Sequence, residues 1–181
     1  KPAELSGTTP QRHPVVVVGA GPVGLSAAIE MAQRGVTVLL LDDDDTVSIG
    51  SRGVCYAKRA LEVLDRQGCG QVMVDKGVTW NVGRTFFDTT EVFNFNLLPE
   101  AGHERPGMIN LQQYYLEENL VEACEASPLV DLRWKHKLLS LEQNDDVATL
   151  TVETPDGVFK MEAQWVIAAD GANSDTRRMT G

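Results

Sequence analysis

Apolar positions fall into short blocks whose period changes along the chain. Val15-Val16-Val17-Val18 is an unbroken run of β-branched residues, the pattern of a strand buried on both faces in a parallel sheet. Gly19-Ala20-Gly21-Pro22-Val23-Gly24 closes that run. Leu25, Ala28, Ile29 and Ala32 then recur at helical spacing, and Arg34-Gly35 supplies a basic last turn and a C-cap glycine. Residues 36–41 form a second apolar block that ends at Asp42. Strand, glycine turn, helix and strand within roughly 30 residues make a βαβ unit.

Beyond a loop at 43–50, the spacing predicts a helix over 54–67, stopped by Gly68. The pattern then changes. Trp80, Val82, Thr85, Phe86, Phe87, Val92, Phe93 and Phe95 are aromatic or β-branched and are broken by polar residues at 88–91, which predicts an antiparallel hairpin or meander over 79–98. A loop at 99–106 leads to a helix over 111–126, closed by Ser127-Pro128. Strands are expected at 130–134, 137–143, 147–153 and 158–161, with Pro155-Asp156-Gly157 turning between the last two. A final buried strand at 165–169 runs into Asp170-Gly171.

The expected organisation is a flexible leader over 1–13, a βαβ part over 14–78, an antiparallel insertion over 79–110 and a continuation of the first domain over 111–181. The fold class is α/β, a Rossmann-like three-layer domain with an antiparallel β portion of a second domain.

Gly19-x-Gly21-x-x-Gly24 gives this fold its candidate chemistry. The first glycine permits the tight turn out of the strand, the second lets backbone approach a pyrophosphate, and the third lets helix pack on sheet. Phosphates would then sit at a helix N-terminus, where free N–H groups and the helix dipole favour anions. Pro22 and Val23 belong to the same candidate loop. A lone glycine string is weak, but this one follows a valine run, opens an amphipathic helix and precedes a strand ending in an acid. Asp42, about 20 residues beyond the glycines, stands where a ribose-binding carboxylate is needed. An acid there disfavours a 2′-phosphate, so NADP is not expected at this site. Asp43 to Asp45 read mainly as a solvated acidic loop, with Asp43 kept among the cofactor-contacting candidates. Taken alone, these features fit an NAD-dependent dehydrogenase equally well.

Composition narrows the partners. The formal net charge is −10, which opposes binding to nucleic acid or anionic lipid. Cys55, Cys69 and Cys124 are scattered without a Cys-x-x-Cys pair, which suits a reducing cytoplasm better than a disulfide framework. His13, His103 and His136 lie far apart, so no metal-ligand spacing is present. No apolar run has the length of a membrane span.

The far end of the chain separates the alternatives. Ala168-Ala169-Asp170-Gly171-Ala172-Asn173-Ser174-Asp175-Thr176-Arg177 follows an apolar strand and resembles the Asp-Gly motif of the group A FAD-dependent aromatic monooxygenases, the para-hydroxybenzoate hydroxylase type. Arg52 matches that family's arginine directed at the FAD pyrophosphate. Gln113, with Glu117 and Leu120 following, resembles its Gln-x-x-x-Glu-x-x-Leu helix near the flavin. The resemblance runs from Val15 onward, and Gln164-Trp165-Val166 is similar to the phenol and 3-(3-hydroxyphenyl)propionate hydroxylases.

The resemblance implies FAD as cofactor, NADH or NADPH as co-substrate, and O₂ and a small aromatic molecule as reactants. NAD(P)H would reduce FAD, O₂ would add to it, and one oxygen would pass to an activated phenol ring. The implied cofactor set is Gly19, Gly21, Pro22, Val23, Gly24, Asp42, Asp43, Arg52, Gln113, Asp170, Gly171 and Arg177, with a bidentate fork from Arg177 to phosphate. No catalytic side chain is nominated, since Tyr114 and Tyr115 fit a helix core. The family's later Gly-Asp signature has no match here. Its members run to at least twice this length, so the 181 residues are expected to be inactive alone. A non-catalytic flavin-binding piece therefore remains the third reading, and an exposed sheet edge is an expected site of aggregation or homodimer formation.

Overall fold

The computed structural model of the chain describes residues 2–7, 9–50 and 52–180. A 3-10 turn at Ala3–Ser6 precedes β1 (Gln11–Val18), α1 (Pro22–Gln33) and β2 (Val38–Leu41). Next come β3 (Cys55–Ala57), α2 (Lys58–Arg66), α3 (Gly70–Lys76), β4 (Val78–Trp80), β5 (Val82–Phe87), β6 (Thr90–Asn96) and β7 (Met108–Asn110). The chain continues through α4 (Gln113–Glu125), β8 (Val130–Arg133), β9 (Lys137–Gln143), β10 (Ala148–Thr154), β11 (Gly157–Ala168) and α5 (Asp175–Thr180). Two compact units form, residues 1–48 with 120–181 and residues 49–119.

The first unit is built on a six-stranded sheet of order β8-β2-β1-β11-β10-β9. β8, β2, β1 and β11 run parallel, whereas β10 and β9 are antiparallel. Val15 to Val18 and all of β2 are buried, as expected for central parallel strands covered on both faces. One face carries α1, whose Leu25, Ala28, Ile29 and Ala32 are buried and which packs on β1, β2 and β8. The other face gathers Val16, Val18, Leu39, Leu41, Leu150, Val152, Phe159 and Met161 into one cluster. This arrangement is the expected α/β Rossmann-like fold. It brings the C-terminal ends of β1, β2 and β11 side by side, the position where open parallel sheets bind ligands.

In the second unit, β3, β7 and β4 form a small antiparallel sheet and β5 with β6 a separate hairpin. The hairpin exposes Phe86, Phe87, Val92 and Phe93. Arg105 donates to both carboxylate oxygens of Asp65, at 2.6 and 2.5 Å, and to Gln71 at 2.9 Å, pinning its loop to α2 and α3.

Several boundaries differ from the sequence expectation. The helix expected over 54–67 begins only at Lys58 because Cys55 to Ala57 pair with β7. α3 was not anticipated, since seven residues are too few for a helical period to declare itself. The strands expected at 158–161 and 165–169 are one, β11. Polar Glu162 and Gln164 interrupt the apolar run, yet no turn residue separates the halves. Residues 157–163 pair with β10 while 161–168 pair with β1. β1 starts at Gln11, ahead of the valine run, and Glu4 forms an ion pair with Arg133 at 2.7 Å.

Candidate functional site

The glycine loop connects β1 to α1, and its three glycines have different local environments. Gly19 has φ +103°, and a Cβ there would stand 2.5 Å from the Ala169 carbonyl oxygen. A Cβ on Gly24 would overlap the Gly19 carbonyl oxygen and reach the Ala169 Cβ at 3.3 Å. Both are therefore required by internal packing between the loop and the end of β11. Gly21 is not. Its backbone is extended, with φ −75° and ψ −179°, and among the described residues a Cβ there would meet nothing within 4 Å.

Gly21 is also the N-cap of α1 and, as a glycine, has no side chain with which to cap that terminus. Pro22, at the first helical position, has no N–H to satisfy. Val23 is 70% exposed on the first turn. A helix start whose N-cap residue lacks a side chain, with open space over that glycine, has the shape and polarity of an anion cradle.

Asp42 follows Leu41 directly, at the end of β2. Its Oδ2 accepts the Ala20 N–H of the glycine loop at 2.5 Å, and its Oδ1 accepts the Asp44 N–H at 2.9 Å. Burial pushes this carboxyl above the usual aspartate range against the pull of those two donors, and Asp43 and Asp44 add to the rise. Each oxygen keeps lone-pair capacity for a further donor. Asp43 is exposed beside it.

Asp170 follows β11 by two residues and serves its own loop. Its Oδ1 accepts the Ser174 hydroxyl at 2.6 Å, while Oδ2 accepts the Thr176 N–H at 2.9 Å and the Thr176 hydroxyl at 2.8 Å. Partial burial resists ionisation, but these bonds outweigh it and hold the carboxyl below the usual range. Gly171 turns the loop with φ +80°. The Arg177 guanidinium donates to the Ala172 carbonyl at 2.9 Å and is otherwise exposed.

The first unit thus brings together Gly19, Gly21, Pro22, Val23, Gly24, Asp42, Asp43, Asp170, Gly171 and Arg177. Arg52 and Gln113 lie in the second unit. Arg52 is exposed, and Gln113 donates to the buried Glu117 at 2.7 Å, beside Gly53. Sequence reasoning singled out neither the Ala20 N–H, which has no residue signature, nor Ser174 and Thr176, which were quoted only as part of a motif.

Residues 12–181 match the FAD binding domain family. The chain belongs to this family. Over 170 residues it is 29% identical to the para-nitrophenol 4-monooxygenase of Pseudomonas sp. strain WBC-3, an alignment covering 92% of this chain and 42% of that protein. It is 32% identical over 168 residues to the 6-hydroxy-3-succinoylpyridine 3-monooxygenase of Pseudomonas putida strain S16, again spanning 42% of the relative. Among solved structures, the p-nitrophenol 4-monooxygenase of Pseudomonas putida DLL-E4 superposes with a TM-score of 0.89 at 31% identity, over 96% of this chain and 44% of that one. The chain therefore spans less than half the length of these relatives. An FAD binding domain related to flavin monooxygenases replaces the NAD-dependent dehydrogenase alternative. Among the described residues no helix is long and apolar enough to cross a membrane, and no cluster of His, Cys, Asp and Glu could hold a metal ion.

Proposed function

We propose that this FAD binding domain holds the ADP half of its cofactor between the glycine loop and Asp42, and that at the length of its relatives it serves a monooxygenase that hydroxylates small phenolic compounds with NAD(P)H and O₂. Gly21 carries the first part. It is the one motif glycine whose packing and backbone conformation give no reason for the absence of a side chain, so the open space above it is read as room for pyrophosphate. Pro22, Val23 and the α1 N-terminus would line that space, with Gly19 and Gly24 shaping the loop behind it. Asp42 would accept the adenosine ribose hydroxyls on its remaining lone pairs. Asp170 and Gly171 hold the neighbouring loop in shape, Asp43 borders the ribose, and Arg52, Gln113 and Arg177 are assigned to the cofactor on their family motifs. FAD supplies the redox chemistry, while these residues bind it, orient it and exclude water. The phenolic substrate class rests on what the relatives are named for.

An absorption spectrum of the purified protein, followed by an FAD titration, tests this reading. Wild type should bind FAD, and Gly21→Val should keep its melting temperature while losing affinity by about 100-fold, since a side chain would fill the phosphate approach. Equal FAD affinity in Gly21→Val, or binding of NAD in place of FAD, would overturn it.

A further inference from the structure

The turn between β8 and β9 is bound to the acidic loop that carries Asp42. Lys135, at its centre, has φ +57°, a left-handed conformation that a lysine adopts only when its surroundings impose it. In this conformation successive N–H groups can converge on nearby acceptors. The Lys135 N–H donates to the Asp44 carbonyl at 2.8 Å, and the His136 N–H donates to the Asp42 carbonyl at 2.8 Å. The Asp42 N–H in turn donates to the Arg133 carbonyl at 3.0 Å. Asp44, held by its carbonyl, turns its own N–H onto Asp42 Oδ1 at 2.9 Å. The Lys135 ammonium also meets Asp45 at 3.3 Å, with both side chains largely exposed. Backbone bonds therefore run from the turn, through Asp44, to the Asp42 carboxylate.

We infer that Lys135 is a positioning residue for the nucleotide: its left-handed backbone, rather than its charge, fixes the Asp42 carboxylate in the orientation that receives the ribose. The inference rests on the assignment of Asp42 to the ribose. An exposed ion pair of this kind contributes little, whereas two backbone bonds at 2.8 Å and one at 3.0 Å set the path of the acidic loop. The Ala20 N–H on Oδ2 then fixes the second oxygen, so that both carboxylate oxygens are oriented before the ligand arrives.

FAD titrations of Lys135→Val, Lys135→Ala and Lys135→Asn, each with and without Asp42→Asn, test this. Asparagine tolerates the left-handed region but lacks the ammonium, while valine and alanine resist that conformation. Lys135→Asn should bind FAD within about two-fold of wild type, and Lys135→Val should bind about ten-fold more weakly. Lys135→Ala, an intermediate case, supplies the same reading should the valine variant fail to fold. In the Asp42→Asn background the loss from valine or alanine should shrink towards nothing, because a positioned carboxylate is no longer there to lose. Wild-type affinity in both Lys135→Val and Lys135→Ala would overturn the inference. So would an equal loss in Lys135→Asn, which would assign the effect to charge, or a loss undiminished by Asp42→Asn, which would mark general destabilisation. If Asp42→Asn alone binds FAD as tightly as wild type, the ribose assignment itself falls, an outcome separate from these three.

Discussion

β2 and β11 lie on either side of β1, and each leads into an aspartate, Asp42 and Asp170. The two carboxylates are surrounded differently. Asp170 takes three hydrogen bonds, all from residues of its own loop and α5. Among the described residues Asp42 takes two, both from backbone N–H groups, one of them in the glycine loop. Their acidities move in opposite directions, since burial dominates at Asp42 and hydrogen bonds prevail over burial at Asp170. An acid with its donors in place contributes to the fold. An acid left under-solvated destabilises the unliganded protein, and incoming hydroxyl donors relieve that cost. The two aspartates that flank β1 thus differ: Asp170 is saturated within its own loop and α5, whereas Asp42 keeps acceptor capacity, which the proposed function assigns to the ligand.

The glycines show the same division, and the largest expected effect lies there. Gly24→Val drives a side chain into the Gly19 carbonyl and Ala169, and should destabilise the fold by about 1–3 kcal/mol and abolish FAD binding. Thermal melting and flavin titration should fall together in this variant. In Gly21→Val only the titration should fall, and a common drop in both would remove the distinction between packing glycines and a ligand glycine.

Asp170→Ala comes next. It leaves the Thr176 N–H and the Ser174 hydroxyl without their acceptor, both on buried residues, at a cost of about 1–3 kcal/mol. The lowered pKa of Asp170 also has a signature in acid. The folded state holds the ionised form more tightly than the unfolded chain does, so the Asp170 contribution is present above the unfolded value and is lost as pH falls through the folded one. Wild type should lose stability across that acidic window, and Asp170→Asn should flatten this part of the profile. An unchanged profile in Asp170→Asn would show that its hydrogen bonds do not favour the anion.

Asp42 should behave with the opposite sign. Its folded value is raised, so the folded state binds the proton more tightly than the unfolded chain, and stability falls as pH rises between the unfolded and folded values. Above the folded value the cost of the buried charge is fully present. Asp42→Asn should therefore raise the melting temperature of the unliganded protein at neutral pH while weakening FAD binding about ten-fold or more, because charged acceptors are worth more than neutral ones. FAD affinity in wild type should fall as pH drops below the Asp42 value, where the carboxylate is lost. A lower melting temperature for Asp42→Asn would show that the two N–H donors outweigh burial.

Much of this division was legible in the sequence because the βαβ unit is local. The valine run, the helical stripe from Leu25 to Ala32, and an acid at the next strand end fix the loop and Asp42 within one short stretch. The Asp-Gly motif could be found as a string, but the saturation of its acid by Ser174 and Thr176 needed coordinates. The role of Gly21, as distinct from Gly19 and Gly24, was also hidden, since all three are the same letter and only their surroundings differ. Lys135 was the least legible. Glycine or asparagine at that position would have hinted at a left-handed turn, whereas lysine gives no such hint. β11 reads as two strands in the sequence, yet an antiparallel partner over 157–163 and a parallel one over 161–168 overlap at polar Glu162 and carry it through, and a single strand's own pattern does not reveal its neighbours.

Arg177 carries the smallest expected effect. Read from its motif alone, it is a phosphate fork, which needs two parallel N–H donors directed at the ligand. In the structure its Nη2 donates to the Ala172 carbonyl while its backbone N–H donates to Ser174 Oγ, so this arginine takes part in the loop that Asp170 organises. The side chain is exposed, and deleting such a group normally moves stability by no more than about 0.5 kcal/mol. Arg177→Ala should therefore melt close to wild type and, if loop bracing is its main work, bind FAD within about three-fold. Arg177→Lys separates the two roles. A brace onto one carbonyl can be rebuilt by an ammonium, whereas a bidentate fork cannot. A ten-fold or greater loss of FAD affinity shared by Arg177→Ala and Arg177→Lys would place Arg177 on the ligand side of the division with Asp42. Near wild-type affinity in both would place it beside Asp170.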